Sequence, residues 1–119
     1  MDNTTNVSAH TRLNNGTWMT FDEIVNDVEI TLKQSEKKTI ASMKKEDLIR
    51  LHSNLGMWIR NVYGLWNENH PLTSSWSAGN RVITKSATGL EYDDSPDHPD
   101  AVSFKIIEEL WTRLSYLRP

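Results

Sequence analysis

The residues best suited to acid–base or anion chemistry lie on one edge of the predicted central helix. His52, Gly56, Arg60 and Tyr63 follow one another at helical spacing along this edge, and the amide side chain of Asn61 is next to Arg60 in the sequence. An imidazole and a guanidinium beside an amide could bind an anion or transfer a proton, and a glycine leaves room for a ligand near the backbone. The alternative role is structural, because buried polar side chains usually satisfy carbonyl groups and carboxylates of the same chain. We expect the structural role.

Five tryptophans in 119 residues are a second unusual feature. Trp58 and Trp111 fall on periodic apolar faces and are predicted to lie in the core. Trp66 and Trp76 follow the central helix and lie beside or within loop-like sequence, and exposed tryptophans are frequent anchors of protein interfaces. We expect Trp66 to fold into the core and Trp76 to be an exposed anchor for a partner.

An acidic segment precedes the last predicted helix and contains Glu91, Asp93, Asp94, Asp97, His98 and Asp100. Its carboxylates could bind Mg²⁺ or Ca²⁺, but their spacing is not that of an EF-hand loop. Aspartates at a helix start also cap it and interact favourably with its dipole, and we expect that role. The chain has no Cys and no P-loop, HExxH or Ser–His–Asp ordering. We therefore predict no metal, no cofactor and no catalytic residue.

Helical periodicity predicts the elements that must position these residues. Thr20 to Glu23 has the form of a capping box, and apolar residues at helical spacing predict a helix over 21–33. Ser35 can cap a short second helix, and the central helix is predicted over 46–63. We expect that central helix to lie in the middle of the domain. The last helix, over 99–116, is predicted to pack on it.

The segment between the last two helices, residues 67–96, is rich in Asn, Ser and Gly. A loop of this length is uncommon in a compact domain unless it is functional. Within it, residues 81–85 and 90–92 flank a Ser-Ala-Thr-Gly turn and could pair as a short hairpin. We predict an all-α fold: a small bundle of three to four helices with a long crossover loop that can carry this hairpin. Residues 1–19 are predicted to be a polar N-terminal tail, and residues 20–119 a single helical domain.

Composition excludes several classes of function. The net charge is −3, which argues against binding through phosphate neutralisation, so we expect no nucleic acid partner. No apolar run approaches the ~18 residues of a membrane helix, and the N-terminus lacks the pattern of a signal peptide. We expect a cytoplasmic protein that binds no membrane, and the oligomeric state stays open.

Several short motifs occur together between residues 48 and 111. They are LIRLH at 48–52, LGMWIRN at 55–61 and GLW at 64–66, followed by HPDAVS at 98–103, II at 106–107 and LW at 110–111. Together they resemble the signature of a family of short, uncharacterised bacterial proteins, over roughly residues 46–114. The resemblance implies a bacterial or phage origin. It supplies no functional residues.

The function that we expect is that of a non-enzymatic protein-binding module, such as an immunity protein or an inhibitor in conflict between bacteria or with phage. Small size, acidic charge and a long loop are typical of such proteins. The alternative is a small enzyme or ligand-binding domain that uses the His52 and Arg60 edge, with residues 67–96 as its lid. A deep pocket beside Gly56 would favour this alternative.

Overall fold

The computed structural model describes residues 12–115. The elements, in chain order, are β1 (Leu13–Asn14), β2 (Thr17–Trp18), α1 (Phe21–Thr31), α2 (Gln34–Ser42), a 3-10 helix (Lys45–Leu51), a π-helix (His52–Gly56), α3 (Met57–Val62), α4 (Ser74–Ser77), β3 (Ile83–Lys85), β4 (Glu91–Asp93) and α5 (Pro99–Ser115). Helices contain 57% of the described residues and strands contain 10%.

The prediction of an all-α fold is wrong. Within residues 12–115, five α-helices are combined with two antiparallel two-stranded sheets, β1–β2 and β3–β4, so the domain is a small mixed α/β structure. The β3–β4 hairpin lies where the loop was expected to carry one, with Lys85 opposite Glu91. The β1–β2 hairpin was not predicted. Its turn residues Asn15 and Gly16 have φ angles of 53° and 78°, as the mirror-image turns of tight hairpins require.

The N-terminal helices begin close to where the sequence places them. The Glu23 backbone N–H donates to the Thr20 hydroxyl at 3.2 Å, and the Glu23 carboxylate accepts the Thr20 N–H at 2.9 Å, which confirms the capping box. α2 begins at Gln34, one residue before the predicted cap at Ser35. Its first turn is closed by the Lys33 N–H, which donates to the side chain of Glu36 at 2.8 Å.

The predicted central helix over 46–63 is not uniform. It divides into the tightly wound 3-10 helix, the wider π-helix and the short helix α3. Its end is as predicted: Gly64 has a φ of 69°, and the Leu65 N–H turns back to the Arg60 carbonyl at 3.0 Å. Apolar spacing predicts that a segment is helical, but it does not distinguish small changes in winding from a regular helix.

The core is organised around α5, and not around the central segment as predicted. Four apolar side chains of α5 are fully buried: Ile106, Ile107, Leu110 and Leu114. α5 packs against α1, α2 and all three parts of the central segment. The buried residues that these elements contribute are Ile24, Val25, Val28, Ile40, Ala41, Leu48 and Ile59. Trp58 and Trp111 pack against this cluster while partly exposed, so the core prediction holds for their contacts but not for complete burial.

Residues 12–19 of the predicted polar tail are attached to the domain, and residues 1–11 lie outside the described range. The Arg12 N–H donates to the Val62 carbonyl at 2.8 Å, and its guanidinium lies 2.6 Å from the Asp27 carboxylate. Asn14 also donates a hydrogen bond to the carboxylate of Glu23. The β1–β2 hairpin is therefore held against α1 and the end of α3.

Candidate functional site

Arg60 is the centre of a polar network between the central segment and α5. Its side chain is only 8% exposed. Nη1 donates to Ser103 Oγ at 2.9 Å, Nη2 donates to the His52 carbonyl at 3.2 Å, and Nε lies 3.3 Å from Asp100 Oδ1. Each guanidinium nitrogen is thus engaged by the chain itself, as expected for a buried charge. The geometry favours the structural role of Arg60 over an anion-binding one.

Gly56 provides the space that this guanidinium occupies. A Cβ at Gly56 would lie 3.0 Å from Arg60 Nη1, 3.4 Å from the Leu51 carbonyl oxygen and 3.7 Å from Ile107 Cδ1. The expectation that something packs closely against this glycine is confirmed, and the close neighbours belong to the protein. The pocket that the ligand-binding alternative requires is therefore filled at this point by Arg60 and α5.

Asp100 lies between two imidazoles at the start of α5. Its Oδ2 is 3.8 Å from His52 Nε2 and 4.0 Å from His98 Nδ1. The same Nδ1 accepts the Asp100 backbone N–H at 2.9 Å, so the His98 side chain is bound to the backbone at the start of α5. His98 therefore caps α5. The capping role was expected of the aspartates, whereas Asp100 instead pairs with Arg60.

An aromatic cluster covers the outer side of His98. The ring centroid of Trp76 lies 4.7 Å from that of His98, and the Trp66 centroid lies 5.8 Å from His98 and 6.2 Å from Trp76. All three pairs meet edge to face, which is a favourable geometry for aromatic rings. Arg81 completes the cluster, with its guanidinium carbon 4.1 Å from the Trp76 centroid.

The two loop tryptophans differ in burial from what the sequence led us to expect. Trp66 is 51% exposed and does not lie in the core. Trp76 is partly buried, and its indole Nε1 donates to Asp93 Oδ2 at 2.7 Å. Trp76 therefore fastens the β3–β4 hairpin to the domain, and Trp66 is the more exposed of the two rings.

Asp93 and Ser95 complete the attachment of this hairpin. Hydrogen bonds from Ser95 and from the Trp76 indole lower the pKa of Asp93 to about 2. The Val82 N–H donates to the Ser95 hydroxyl at 2.7 Å. These bonds join the hairpin base to α4 and to the turn before α5.

One face of the hairpin carries three exposed apolar side chains and is called its apolar face here, although Ile83 on the opposite face is also 56% exposed. Thr84 lies opposite Tyr92, and side chains alternate between the two faces of a strand, so Val82, Leu90 and Tyr92 share a face. Their exposed fractions are 50%, 71% and 49%. The sequence interpretation did not single out these residues. The available signal was their apolar character at alternate positions of a predicted hairpin.

The remaining predicted site residues do not join the Arg60 network. Tyr63 is fully buried and donates to Asp27 Oδ2 at 2.6 Å, on the side of α1. Burial and the hydrogen bond to Asp27 raise the pKa of Tyr63 far above its ordinary value. Asn61 is exposed on α3. Of the four predicted polar residues on this edge, the structure brings together only His52 and Arg60.

His70 is a buried titratable residue that the sequence interpretation missed. Its Nδ1 accepts the Leu72 N–H at 3.1 Å, and its Nε2 has no hydrogen-bond partner among residues 12–115. The Trp18 ring lies 4.9 Å away, centroid to centroid. Burial lowers the pKa of His70 to about 4. No periodic pattern surrounds His70, so the sequence carries no signal for its burial.

A groove of about 510 Å³ lies between α2 and the central segment. Its apolar lining comprises Leu32, Ile40, Leu51, Leu55 and Trp58. This groove explains why three apolar residues of the central segment, Leu51, Leu55 and Trp58, are only partly buried. Over residues 12–115, no three His, Asp or Glu side chains are grouped to hold a metal ion. Nor does any helix in this range have the length and apolar character needed to span a membrane.

These features define the protein as a small α/β domain in which helices packed around α5 support an exposed hairpin. Residues 19–78 match the sequence model of the family described as Domain of unknown function (DUF6794). The match covers 60 of 119 residues, and the protein belongs to this family. Membership of an uncharacterised family is thus confirmed, although the matched range begins earlier and ends earlier than the resemblance over 46–114. No curated protein and no solved structure matches the chain.

Proposed function

We propose that this protein is a non-enzymatic protein-binding module whose contact surface is the apolar face of the β3–β4 hairpin. The observation that carries this proposal is the exposure of Val82, Leu90 and Tyr92 on one face, by 50%, 71% and 49%. A two-stranded hairpin is marginally stable by itself in water. Contiguous exposed apolar residues are typical of interaction sites, and a partner that covers them would also stabilise the hairpin.

Trp66 supports the same proposal. It is 51% exposed and packs edge to face against Trp76, which in turn bonds to Asp93 of β4. Tryptophan is enriched among the residues that dominate binding energy at protein interfaces. The ring is held by its neighbours before a partner arrives, so little conformational entropy would be lost on binding.

The enzyme or ligand-binding alternative lacks a supporting observation. His52 lies 3.8 Å from Asp100, and Arg60 is engaged by Asp100, Ser103 and the His52 carbonyl. These groups connect the central segment to α5, and the space beside Gly56 is occupied by protein atoms.

Within this proposal, the partner is a toxin or another enzyme that the protein inhibits in the cytoplasm, in conflict between bacteria or with phage. The net charge of −3 supports an inhibitory role, because an acidic surface accelerates association with a basic enzyme. If so, adding the protein in stoichiometric amounts should abolish the activity of the captured enzyme.

The test is affinity capture from a lysate of the source organism, quantified by mass spectrometry. The bait is either the unchanged chain or the double variant Leu90→Ser, Tyr92→Ser, and the matched control is Ile30→Ser, an apolar residue on α1 that is 78% exposed. We expect one protein to be captured by the unchanged chain and by Ile30→Ser, and to be lost with the double variant. A protein captured equally by all three baits would overturn the proposed surface.

A further inference from the structure

The two outer edges of the β3–β4 hairpin are open. The Ser86 N–H donates to the Leu90 carbonyl and the Asp94 N–H to the Val82 carbonyl, both at 2.8 Å. Hydrogen-bonded pairs alternate along an antiparallel ladder, so the backbone N–H and C=O groups of Glu91 point away from β3, as do those of Asp93. No residue in the range 12–115 forms a hydrogen bond with these outward backbone groups.

The edge of β4 continues into an acidic depression. This depression has a volume of about 310 Å³, and three carboxylates, those of Asp93, Asp94 and Asp100, line it with one ammonium group, that of Lys105. Lys105 donates to the Pro96 carbonyl at 3.2 Å, at the rim of the same depression. Glu91 adds a fourth carboxylate along the strand, so carboxylates outnumber the single ammonium group along the path of a chain that follows β4.

The edge of β3 differs in charge. Lys85 lies directly opposite Glu91 in the ladder, and Arg81 precedes the strand. The two edges therefore offer the same backbone hydrogen-bonding groups but opposite charges. This difference distinguishes the partners that each edge can accept, because opposite charges on neighbouring strands stabilise pairing and like charges oppose it.

We propose that the outer edge of β4 binds an extended, basic segment of the partner protein by strand addition. This inference rests on the proposed function and names the binding mode. The added segment would form a third strand, with backbone hydrogen bonds to Glu91 and Asp93 and a Lys or Arg side chain in the acidic depression. Its alternate apolar side chains would extend the face formed by Val82, Leu90 and Tyr92. Pairing between the β4 edges of two copies of this chain is disfavoured, because it would bring their carboxylates together.

The probe is an acetylated and amidated dodecapeptide of alternating lysine and valine, with its affinity measured by fluorescence anisotropy. One comparison peptide replaces every lysine with glutamate. A second carries N-methyl groups on alternate residues and therefore cannot donate backbone hydrogen bonds from one edge. We expect the lysine peptide to bind, and each comparison peptide to bind at least about tenfold more weakly. Equal binding of all three peptides would overturn strand addition.

The matched variants are Glu91→Pro and Lys85→Pro. These two residues lie opposite each other in the ladder, so each proline removes one outward N–H, the first from the β4 edge and the second from the β3 edge. We expect Glu91→Pro to weaken the lysine peptide about tenfold or more, and Lys85→Pro and Glu91→Gln to weaken it much less. If both prolines disrupt the hairpin, the N-methylated peptide on the unchanged chain still decides the question. A partner that is lost with Leu90→Ser, Tyr92→Ser but fully retained by Glu91→Pro would uphold the proposed function and overturn strand addition.

Discussion

The Arg60 network and the β3–β4 hairpin differ in how completely their side chains are used by the fold. Arg60 is 8% exposed, and each of its guanidinium nitrogens contacts another group of the chain. In the hairpin, Leu90 is 71% exposed, and the outward backbone groups of β4 have no partner within residues 12–115. The residues with the most reactive chemistry are therefore committed to the structure, whereas apolar residues of the hairpin are exposed.

This difference teaches that side-chain chemistry by itself is a poor guide to which residues of this protein remain exposed. A buried charge is costly unless it is paired, so burial of Arg60 requires the contacts that remove it from any ligand. An exposed apolar side chain carries no such requirement. The four predictions below test this contrast, in order of expected effect.

The largest effect is expected for Arg60→Met, which keeps most of the apolar stem and removes the guanidinium. Asp100, Ser103 and the His52 carbonyl would each lose a partner, so the free energy of unfolding should fall by about 3 kcal/mol. Urea denaturation measures this change. The control is Arg113→Met, which removes a 28% exposed side chain paired with Glu109 and Asp22 and should cost less than about 1 kcal/mol. Equal losses in the two variants would show that the network is not a structural centre.

His70 is a second buried polar side chain, at the junction between the central segment and the hairpin region. Its burial should make the free energy of unfolding depend on pH. Its pKa is about 4 in the folded chain and about 6.5 in the unfolded chain, so the unfolded state binds more protons between these values. The free energy of unfolding should therefore fall by roughly 2–3 kcal/mol between pH 7 and pH 4. His70→Asn keeps an acceptor for the Leu72 N–H and should flatten this part of the profile. An unchanged slope in this variant would assign the pH dependence to other groups.

Trp76→Ala tests how the hairpin is attached. Because Trp76 is half-buried and bonds to Asp93, its truncation should lower the free energy of unfolding by about 2 kcal/mol. Amide hydrogen exchange at Val82 and Asp94 should accelerate, since these groups close the hairpin base. Trp66→Ala, at a 51% exposed ring, should change stability by less than about 1 kcal/mol. A smaller loss of stability for Trp76→Ala than for Trp66→Ala would show that Trp76 does not attach the hairpin to the domain.

The smallest effect on stability is expected for Leu90→Ser. Leu90 is 71% exposed, so thermal unfolding should shift by no more than the equivalent of about 0.5 kcal/mol. Partner capture should nevertheless fall strongly. A large loss of stability would show that the exposed face packs against the domain, and the contrast with Arg60 would then disappear.

Local sequence signals predicted several elements correctly. The capping box at Thr20 and Glu23, the αL residue Gly64 and the opening of α5 at Pro99 each depend on a few neighbouring residues. The β3–β4 hairpin was also indicated by its turn sequence. The β1–β2 hairpin escaped detection although Asn15-Gly16 is a strong turn signal. Its strands are only two residues long, too short to show alternation.

The sequence by itself determined the positions of the longer helical segments, most of their caps and membership of a family, because periodicity, capping and motifs are properties of neighbouring residues. Only the tertiary structure decided that Trp66 is the exposed loop tryptophan and that Trp76 is bound to the hairpin. Trp76 lies 17 residues before Asp93, and Arg60 lies 43 residues before Ser103, so neither bond leaves a local pattern. Whether a polar or aromatic side chain is free to bind depends on partners that the chain brings from a distance, and those partners are set by the packing around α5.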